Sequence, residues 1–424
     1  EIPLRLVGSE MCIRDSNSVS ETRGEEFTYT IDNLLTYNKT FNRHSIDALL
    51  GTSWMREYYR YMTNSTINDL GGTDITGFQN EDGKISAGDS NAALLSFFAR
   101  VNYDYDNKYL LSLSIRRDES SKFHKDNRVG YFPSVSAGWN VHQEKWFQNP
   151  VMSKLKIRAS YGELGANFLN PYNFDAIAYG PIPYTVGGER YVTGRAAYLK
   201  SKDLKWETAK TTDIGIELGF FNNDLTLSLD YFVKKNVDLL AQIDLNLSSG
   251  QIFEINSSRE KPYVNTASVK NTGWEFMMNY RKQLTKDFHI DATFNIATLK
   301  NKVLSLGENV QPITSGAMSS YFNDAASITM PGEAIGSFYG YKIDGFDAEG
   351  NFIFADTDKN GVVNANDKVI LGSPIPDFTY GLNINMEYKD FDLTVFFQGV
   401  QGNDIFNQKK YTYYFDYSNN VVKE

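Results

Sequence analysis

Hydrophobic and polar residues alternate one by one along most of the chain from Phe27 onward. Side chains of a β-strand point alternately to opposite faces, so this pattern predicts strands with one apolar and one polar face. Each stretch has about the ten residues that a tilted strand needs to cross a bilayer. The twelve stretches are 27–37, 44–54, 97–105, 109–117, 130–141, 155–162, 213–220, 225–233, 273–281, 288–298, 378–388 and 391–399.

The alternation also predicts which side chains share a face of the sheet. The expected lipid-facing residues are Ile157, Ile216, Leu227 and Phe276. The expected inward-facing residues are Arg158, Glu217 and Asn279. A soluble β-sandwich shows the same alternation, so this pattern by itself leaves both architectures open.

The connections between the strands separate these two architectures. Brief turns such as 106–108, 221–224 and 389–390 alternate with long excursions. The long excursions are 55–96, 163–212, 235–271 and 299–376. Alternate connections of an up-and-down sheet lie at opposite ends, so the short turns share one rim and the long loops share the other. This arrangement is typical of an outer-membrane barrel and is not expected of a sandwich.

Aromatic residues lie close to the short turns, as Tyr103, Tyr105 and Tyr109 do on either side of 106–108. Rings at strand ends would form the girdle that marks a membrane interface. The alternative is the ordinary preference of tyrosine and phenylalanine for strands.

The composition agrees with a membrane barrel and excludes other classes. No run of 18 apolar residues is present and the mean hydropathy is −0.41, which excludes a transmembrane helix. Barrel strands give such a score because they alternate. The net charge of −10 argues against a nucleic-acid partner. The single cysteine excludes a disulfide framework and a cysteine-based metal site.

Residues 1–16 share no pattern with the rest of the chain. They contain no apolar core of a signal peptide. The stretch 6–16 resembles translated sequencing-adapter read-through, and the alternative is a disordered native terminus. We therefore expect a leader, 1–16, outside the fold, and a barrel region, 17–424.

Several segments, in this order, resemble the SusC/RagA-type family of TonB-dependent transporters, and the resemblance covers roughly residues 25–424. The segments are FFARVNYDYDNKYLLSLSIRRDESSKF (97–123), GYFPSVSAGWNV (130–141), LKIRASYGELG (155–165), KWETAKTTDIGIELGFFNNDLTLSLDYFVKK (205–235), NTGWEF (271–276), GEAIGSFYGYKIDGF (332–346) and DTDKNGVVNANDKVILGSPIPDFTYGLNI (356–384).

The resemblance implies an all-β, transmembrane antiparallel β-barrel in the outer membrane of a Gram-negative, Bacteroidetes-like cell. It implies import of oligosaccharides or peptides, energy from the TonB complex, and a SusD-like surface lipoprotein as a lid. The family's plug domain and its TonB-engaging segment have no counterpart in the chain. Barrels of this class have about 22 strands, so the twelve predicted strands make a partial barrel and we expect an open sheet.

One segment, 356–367, has the spacing of an oxygen-only calcium loop. The expected ligands are Asp356, Asp358, Asn360, the carbonyl of Val362, Asn364 and Asp367. Gly361 occupies the tight-turn position, and Asp367 stands where a glutamate is usual. The alternative is an Asx-rich turn that tolerates the same residues. A structural calcium ion is thus the one cofactor that the sequence suggests, and none is required.

Aromatic residues are frequent in the excursion 163–212, where exposed rings would stack on sugars. The candidate substrate-binding residues are Tyr172, Phe174, Tyr179, Tyr184, Tyr191, Tyr198 and Trp206. The alternative is that these rings pack on one another.

No pattern for catalysis is found. The four histidines are scattered, and no nucleophile elbow, phosphate loop or zinc motif is present. We therefore expect a transporter and not an enzyme. The alternatives are a non-transporting surface carbohydrate-binding β-protein or adhesin, and a barrel enzyme. A requirement for detergent separates the surface protein from the other two.

Overall fold

The computed structural model describes residues 18–67, 84–171, 178–187, 189–196, 201–242, 263–307, 310–317 and 325–407. Twelve strands form the wall of one large sheet, and a thirteenth, β13 (Lys300–Ser305), pairs with β11. The wall strands are β1 (Ser18–Phe41), β2 (His44–Ile67), β3 (Lys84–Tyr105), β4 (Tyr109–Ser120), β5 (Val129–Asn140), β6 (Met152–Ala166), β9 (Glu207–Phe220), β10 (Leu225–Gln242), β11 (Tyr263–Thr285), β12 (Phe288–Thr298), β20 (Phe378–Tyr388) and β21 (Phe391–Gln401).

The wall strands follow one another in chain order, and every neighbouring pair is antiparallel. Strands β1 and β21 stand at the two ends of this order, so the sheet is not closed. The predicted partial antiparallel barrel is confirmed, and each of the twelve predicted stretches corresponds to one wall strand.

Smaller sheets are built from the long connections. Their strands are β7 (Ala178–Val186), β8 (Glu189–Ala196), β14 (Ile313–Ala317), β15 (Ala325–Thr329), β16 (Ser337–Tyr341), β17 (Ile343–Phe346), β18 (Phe352–Phe354) and β19 (Lys368–Gly372). One sheet has the order β14-β15-β16-β19, a second joins β17 to β18, and a third is the hairpin β7-β8.

Short turns connect β1 to β2, β3 to β4, β9 to β10, β11 to β12 and β20 to β21, and the longer connection 141–151 joins β5 to β6 at the same end of the sheet. Asn42, Asp106, Asn107 and Lys389 have φ between 52° and 57°. Asparagine and aspartate tolerate this conformation and are common in tight hairpin turns. All these turns lie at one end of the sheet, the short-turn rim. The long connections lie at the opposite end, the long-loop rim.

The register of the wall gives it one apolar and one polar face. Ile157 lies opposite Ile216, which lies opposite Leu229, which lies opposite Phe276. Arg158 is one residue along β6 and so belongs to the other face. The predicted separation of Ile157, Ile216, Leu227 and Phe276 from Arg158, Glu217 and Asn279 is confirmed by this register.

The predicted excursion 55–96 is wrong for most of its length. Strand β2 continues to Ile67 and β3 already begins at Lys84. Strands β1, β2 and β3 have 24, 24 and 22 residues, whereas about 9–11 residues cross a bilayer. Residues 18–30, 55–67 and 84–94 therefore project past the long-loop rim. We call this three-stranded projection the β1–β3 extension.

Two hydrophobic clusters fix the connections at the long-loop rim. The first contains Phe123, Phe132, Leu169, Leu204 and Trp206. The second contains Ala267, Val269, Val303 and Leu306. Burying each large apolar side chain contributes about 1.5–3 kcal/mol, so these clusters hold the loops against the wall. Within the described residues, no helix has the length and apolar character to cross a membrane.

Candidate functional site

An arginine on the polar face joins three strands through ion pairs. Arg158 on β6 lies 3.0 Å from Asp213 and 3.4 Å from Glu217, both on β9. It also lies 2.6 Å from Asp230 on β10. Gly215 stands directly opposite Arg158, and a Cβ there would overlap Asp230 Oδ1. The absent side chain is what lets the guanidinium reach across β9.

Two lysines complete this cluster. Lys154 Nζ lies 2.7 Å and Lys156 Nζ 3.6 Å from Glu217. Three cationic groups, Lys154, Lys156 and Arg158, thus face three carboxylates, Asp213, Glu217 and Asp230. Because the positive and negative charges are equal in number, this network holds the side chains of the polar face in place and adds no net charge to it.

A recess of about 580 Å³ lies beside this cluster on the polar face. The residues that line it include several small ones, Ser112, Ser136, Gly138 and Ser160. Ser112 Oγ donates a hydrogen bond to Asn102 Oδ1 at 2.7 Å. The polar face of the wall is therefore a surface suited to water and polar solutes.

A row of rings crosses the apolar face beside the short-turn rim. The ring centroids are 5.3 Å apart for Phe41 and His44, 4.9 Å for His44 and Tyr105, and 6.2 Å for Tyr105 and Tyr109. Trp139 continues the row at 6.5 Å from Tyr109. Aromatic side chains at this position are typical of a barrel at the membrane interface.

The calcium-like loop brings three carboxylates together. Ligand atoms of Asp356, Asp358 and Asp367 all lie within 4.8 Å of one another. Asp367 is fully buried and accepts hydrogen bonds from the backbone N–H groups of Asn364 at 2.8 Å and Thr357 at 2.7 Å. The Asn364 hydrogen bond, more than any other contact, lowers the pKa of Asp367 and keeps it ionised.

The remaining predicted ligands shape the same loop. Asp356 accepts the N–H groups of Asn360 at 3.1 Å and Gly361 at 2.7 Å. Gly361 has φ +84°, a conformation that glycine adopts without strain. The Val362 carbonyl accepts the side-chain amide of Asn364 at 3.1 Å. This all-oxygen set of carboxylates, amides and a carbonyl fits a hard cation such as calcium.

The aromatic candidates of the excursion 163–212 fall into three groups. Tyr172, Phe174 and Tyr198 lie outside the described residues. Tyr179, Tyr184 and Tyr191 belong to the hairpin β7-β8, and the backbones of Tyr184 and Tyr191 are paired. Only for Trp206 does the structure describe the side chain.

Trp206 is a buried packing residue. Its ring lies 5.2 Å from that of Phe123 and 5.4 Å from that of Phe132, and it is 7% exposed. The indole Nε1 donates a hydrogen bond to the Arg128 carbonyl at 2.9 Å. Its ring is covered by Phe123 and Phe132, which come from outside the excursion 163–212, so Trp206 is not available to stack on a sugar.

The sequence did not single out Asp230 or the tyrosine pair Tyr59 and Tyr61. The sequence feature that could have indicated these residues is the position of glycines inside strands. Gly215 lies opposite Arg158, and Gly88 lies opposite Tyr61, each giving a large side chain room across the strand. Glycine is otherwise disfavoured inside strands, so its presence there indicates a close approach.

The geometry of the wall defines a class of protein. A single up-and-down sheet with one apolar face, a row of interfacial rings and its longest connections on one rim is the wall of a transmembrane β-barrel. The family model described as "TonB dependent receptor-like, beta-barrel" matches residues 12–423. The chain belongs to this family, and its place is the outer membrane.

Curated relatives are substantially longer than the chain. TonB-dependent receptor P3 of Formosa agariphila is 34% identical over 407 residues, which cover 89% of this chain and 39% of that protein. TonB-dependent receptor SusC of Bacteroides thetaiotaomicron is 33% identical over 324 residues, covering 71% of this chain and 30% of SusC. The chain thus spans about two fifths or less of these relatives.

Solved structures show the same fold. The RagAB peptide transporter superposes with a TM-score of 0.77 at 21% identity, over 94% of this chain and 44% of that chain. The "open-open" state of the RagAB peptide importer gives a TM-score of 0.78 at 22% identity, over 94% and 43%.

Proposed function

We propose that the chain forms part of an active importer that carries oligosaccharides or peptides across the outer membrane. The observation that carries this proposal is the pairing of an apolar, ring-bordered face with a polar face that holds the neutral Arg158 cluster. A polar wall of this kind lines a path for polar solutes, whereas an adhesin has no need of one. The family, which is one of receptors and transporters and not an enzyme class, supports the same function.

We further propose that import is energised through the TonB complex and works with a SusD-like surface lipoprotein as a lid. The similarity to SusC and to the RagAB transporter supports this part of the proposal.

Uptake in cells tests the proposal. A strain that lacks the gene is compared with a complemented strain and with a complemented strain whose TonB is inactivated, using labelled oligosaccharides and peptides. Uptake that needs both the gene and TonB supports an active importer. Surface binding of the label without uptake would instead identify the alternative, a non-transporting carbohydrate-binding protein or adhesin.

We propose a structural calcium ion at residues 356–367. The convergence of Asp356, Asp358 and Asp367 within 4.8 Å supports it. The loop follows β18 and leads into β19. A cation held there would fix how the hairpin β17-β18 stands beside the four-stranded sheet.

A further inference from the structure

Two tyrosines of the β1–β3 extension lie next to each other on one strand. The rings of Tyr59 and Tyr61 are stacked side by side on β2, with centroids 5.8 Å apart and an angle of 26° between their planes. Tyr59 is 40% exposed and Tyr61 is half-buried. Both lie well past Trp54, the last residue of the predicted bilayer-crossing part of β2.

These rings belong to the polar face of the wall. Asp47, which borders the recess of that face, is separated from Tyr59 by twelve residues and from Tyr61 by fourteen. Both separations are even, and the pairing of β2 with β1 and with β3 has no register shift. Tyr59 and Tyr61 therefore project from the side of the extension that continues the polar wall beyond the long-loop rim, toward the entrance of the import path.

Glycines on the two neighbouring strands leave room for the two tyrosine rings to lie over those strands. A Cβ at Gly24 on β1 would be 3.1 Å from the Tyr59 ring, and a Cβ at Gly88 on β3 would be 2.7 Å from the Tyr61 ring. Side chains at these positions would lift the rings off the sheet. With glycines there, the Tyr59 ring lies close to Gly24 on β1 and the Tyr61 ring close to Gly88 on β3, and Tyr59 stays 40% exposed.

Hydroxyl and carboxylate groups border the rings on the same face. Glu26 and Ser90 lie directly opposite Tyr59 on the two neighbouring strands. One step further out, Thr22 Oγ1 and Thr63 Oγ1 are hydrogen-bonded at 2.9 Å. An apolar platform with polar groups at its edge is the usual composition of a small-molecule site.

We propose that Tyr59 and Tyr61 bind successive sugar rings of a neutral oligosaccharide at the entrance of the importer. The C–H groups on one side of a pyranose carry partial positive charge, and the face of an aromatic ring is negative, so the two stack. The edge hydroxyls and Glu26 then bind the sugar hydroxyl groups. This inference rests on the proposed import function and selects oligosaccharides over peptides as its substrate class.

The other face of the extension differs in character. Arg60 forms an ion pair with Glu25 at 2.7 Å, and Arg56 donates a hydrogen bond to Asn91 at 3.1 Å. Tyr58 lies on this face, next to Tyr59 in sequence. The substitution Tyr58→Ala therefore removes an equal ring from the same strand without touching the platform.

Calorimetry on the detergent-purified protein, as assembled in the outer membrane, tests the proposal. The probes are neutral glucan, xylan, mannan and galactan oligosaccharides, together with a mixed peptide pool as the comparison. For the oligosaccharide that binds the unaltered protein, Tyr59→Ala and Tyr61→Ala should each weaken binding about tenfold. Gly88→Val, which keeps both tyrosines but lifts the Tyr61 ring, should weaken it similarly, and Tyr58→Ala should leave it unchanged.

If Tyr58→Ala and Tyr61→Ala lose the same amount of oligosaccharide affinity, or if no variant loses affinity, then Tyr59 and Tyr61 do not form the binding site. Binding of peptides alone, lost in Tyr61→Ala, overturns the assignment to sugars. Labelled uptake separates these results from a failure of the proposed function. If uptake depends on TonB and Tyr61→Ala changes neither binding nor uptake, the protein is an importer that lacks this site. If the unaltered strain shows no uptake, the proposed import function itself is wrong.

Discussion

Tyr109 and Trp139 stack across the β4–β5 strand pair, and both donate hydrogen bonds to the same oxygen of Glu144. The distances to Glu144 Oε1 are 2.7 Å from the Tyr109 hydroxyl and 3.2 Å from the Trp139 Nε1. The Tyr109 hydroxyl contributes most to lowering the pKa of Glu144, and Trp139 and Lys108 act in the same direction. One carboxylate thus fixes two adjacent rings of the interfacial row.

Removing this carboxylate should loosen the row. We expect Glu144→Ala to lower the unfolding temperature in detergent by about 2 °C, since two polar ring groups lose their shared acceptor. Glu144→Gln keeps an acceptor oxygen and should recover most of the loss. Heat-dependent gel migration or circular dichroism measures the change, and equal stability of Glu144→Ala and the unaltered protein would contradict the assignment.

A charge on the apolar face should lower the free energy of unfolding far more than the same charge on the polar face. Leu229 lies between Ile216 and Phe276, so Leu229→Arg places a guanidinium in hydrocarbon and should cost about 2–4 kcal/mol. Ser228→Arg, one residue away on the polar face, is the matched control and should cost much less. Urea unfolding in lipid vesicles gives both values, and a reversed order would show that the faces are assigned wrongly.

The Arg158 cluster should depend on its central guanidinium. Arg158→Met leaves the buried carboxylate of Asp230 without its nearest cation, and we expect a loss of about 1–3 kcal/mol in unfolding free energy. The double variant Arg158→Met with Asp230→Asn removes the unpaired charge and should be more stable than Arg158→Met alone. If the double variant is instead the less stable of the two, the ion pair is not the source of the effect.

Calcium should bind to the protein through residues 356–367. Titration calorimetry is expected to show a single binding heat that Asp358→Ala abolishes. At a calcium concentration of about 100 times Kd, binding stabilises the loop by roughly 2.7 kcal/mol. Asp344→Ala, an exposed acidic residue on the neighbouring hairpin, should bind calcium normally. Absence of heat from the unaltered protein would leave 356–367 as an Asx-rich turn.

The same loop should weaken in acid. The pKa of Asp367 is lowered in the folded protein, so its stabilising effect is complete above the ordinary aspartate pKa of about 3.9 and is lost as pH falls through the lower folded value. Limited proteolysis with an acid-active protease, without calcium, should find cleavage at 356–367 increasing below about pH 4. Asp367→Asn should make this cleavage nearly independent of pH.

The sequence predicted the wall of the barrel because burial imposes a strict period there. Every wall strand faces lipid on one side, so a residue such as Ile157 or Leu229 must be apolar and its neighbours polar. The long strands of the β1–β3 extension were missed for the same reason. Both of their faces meet water, and in the run from Arg56 to Tyr61 no alternation is left to detect.

The candidate sites were predicted less completely than the fold. The ligands of the calcium-like loop are close in sequence, so their spacing was visible and the structure brings Asp356, Asp358 and Asp367 together. Trp206 was assigned to an exposed loop because its partners, Phe123 and Phe132, are more than 70 residues away. The tyrosine platform likewise depends on strand pairing, because Gly24 on β1 and Gly88 on β3 must come into register with the tyrosines on β2.

The strict chain order of the wall strands has a consequence for biogenesis. Nearly every strand pairs with the one made just before it, so each new hairpin finds its template already in place and few contacts join distant parts of the chain. Only β6 to β9 and β12 to β20 interrupt the succession, and the intervening strands form small sheets of their own, apart from β13, which pairs with β11. Insertion into the membrane can therefore advance one hairpin at a time, with those independent sheets maturing outside the bilayer without delaying the growing wall.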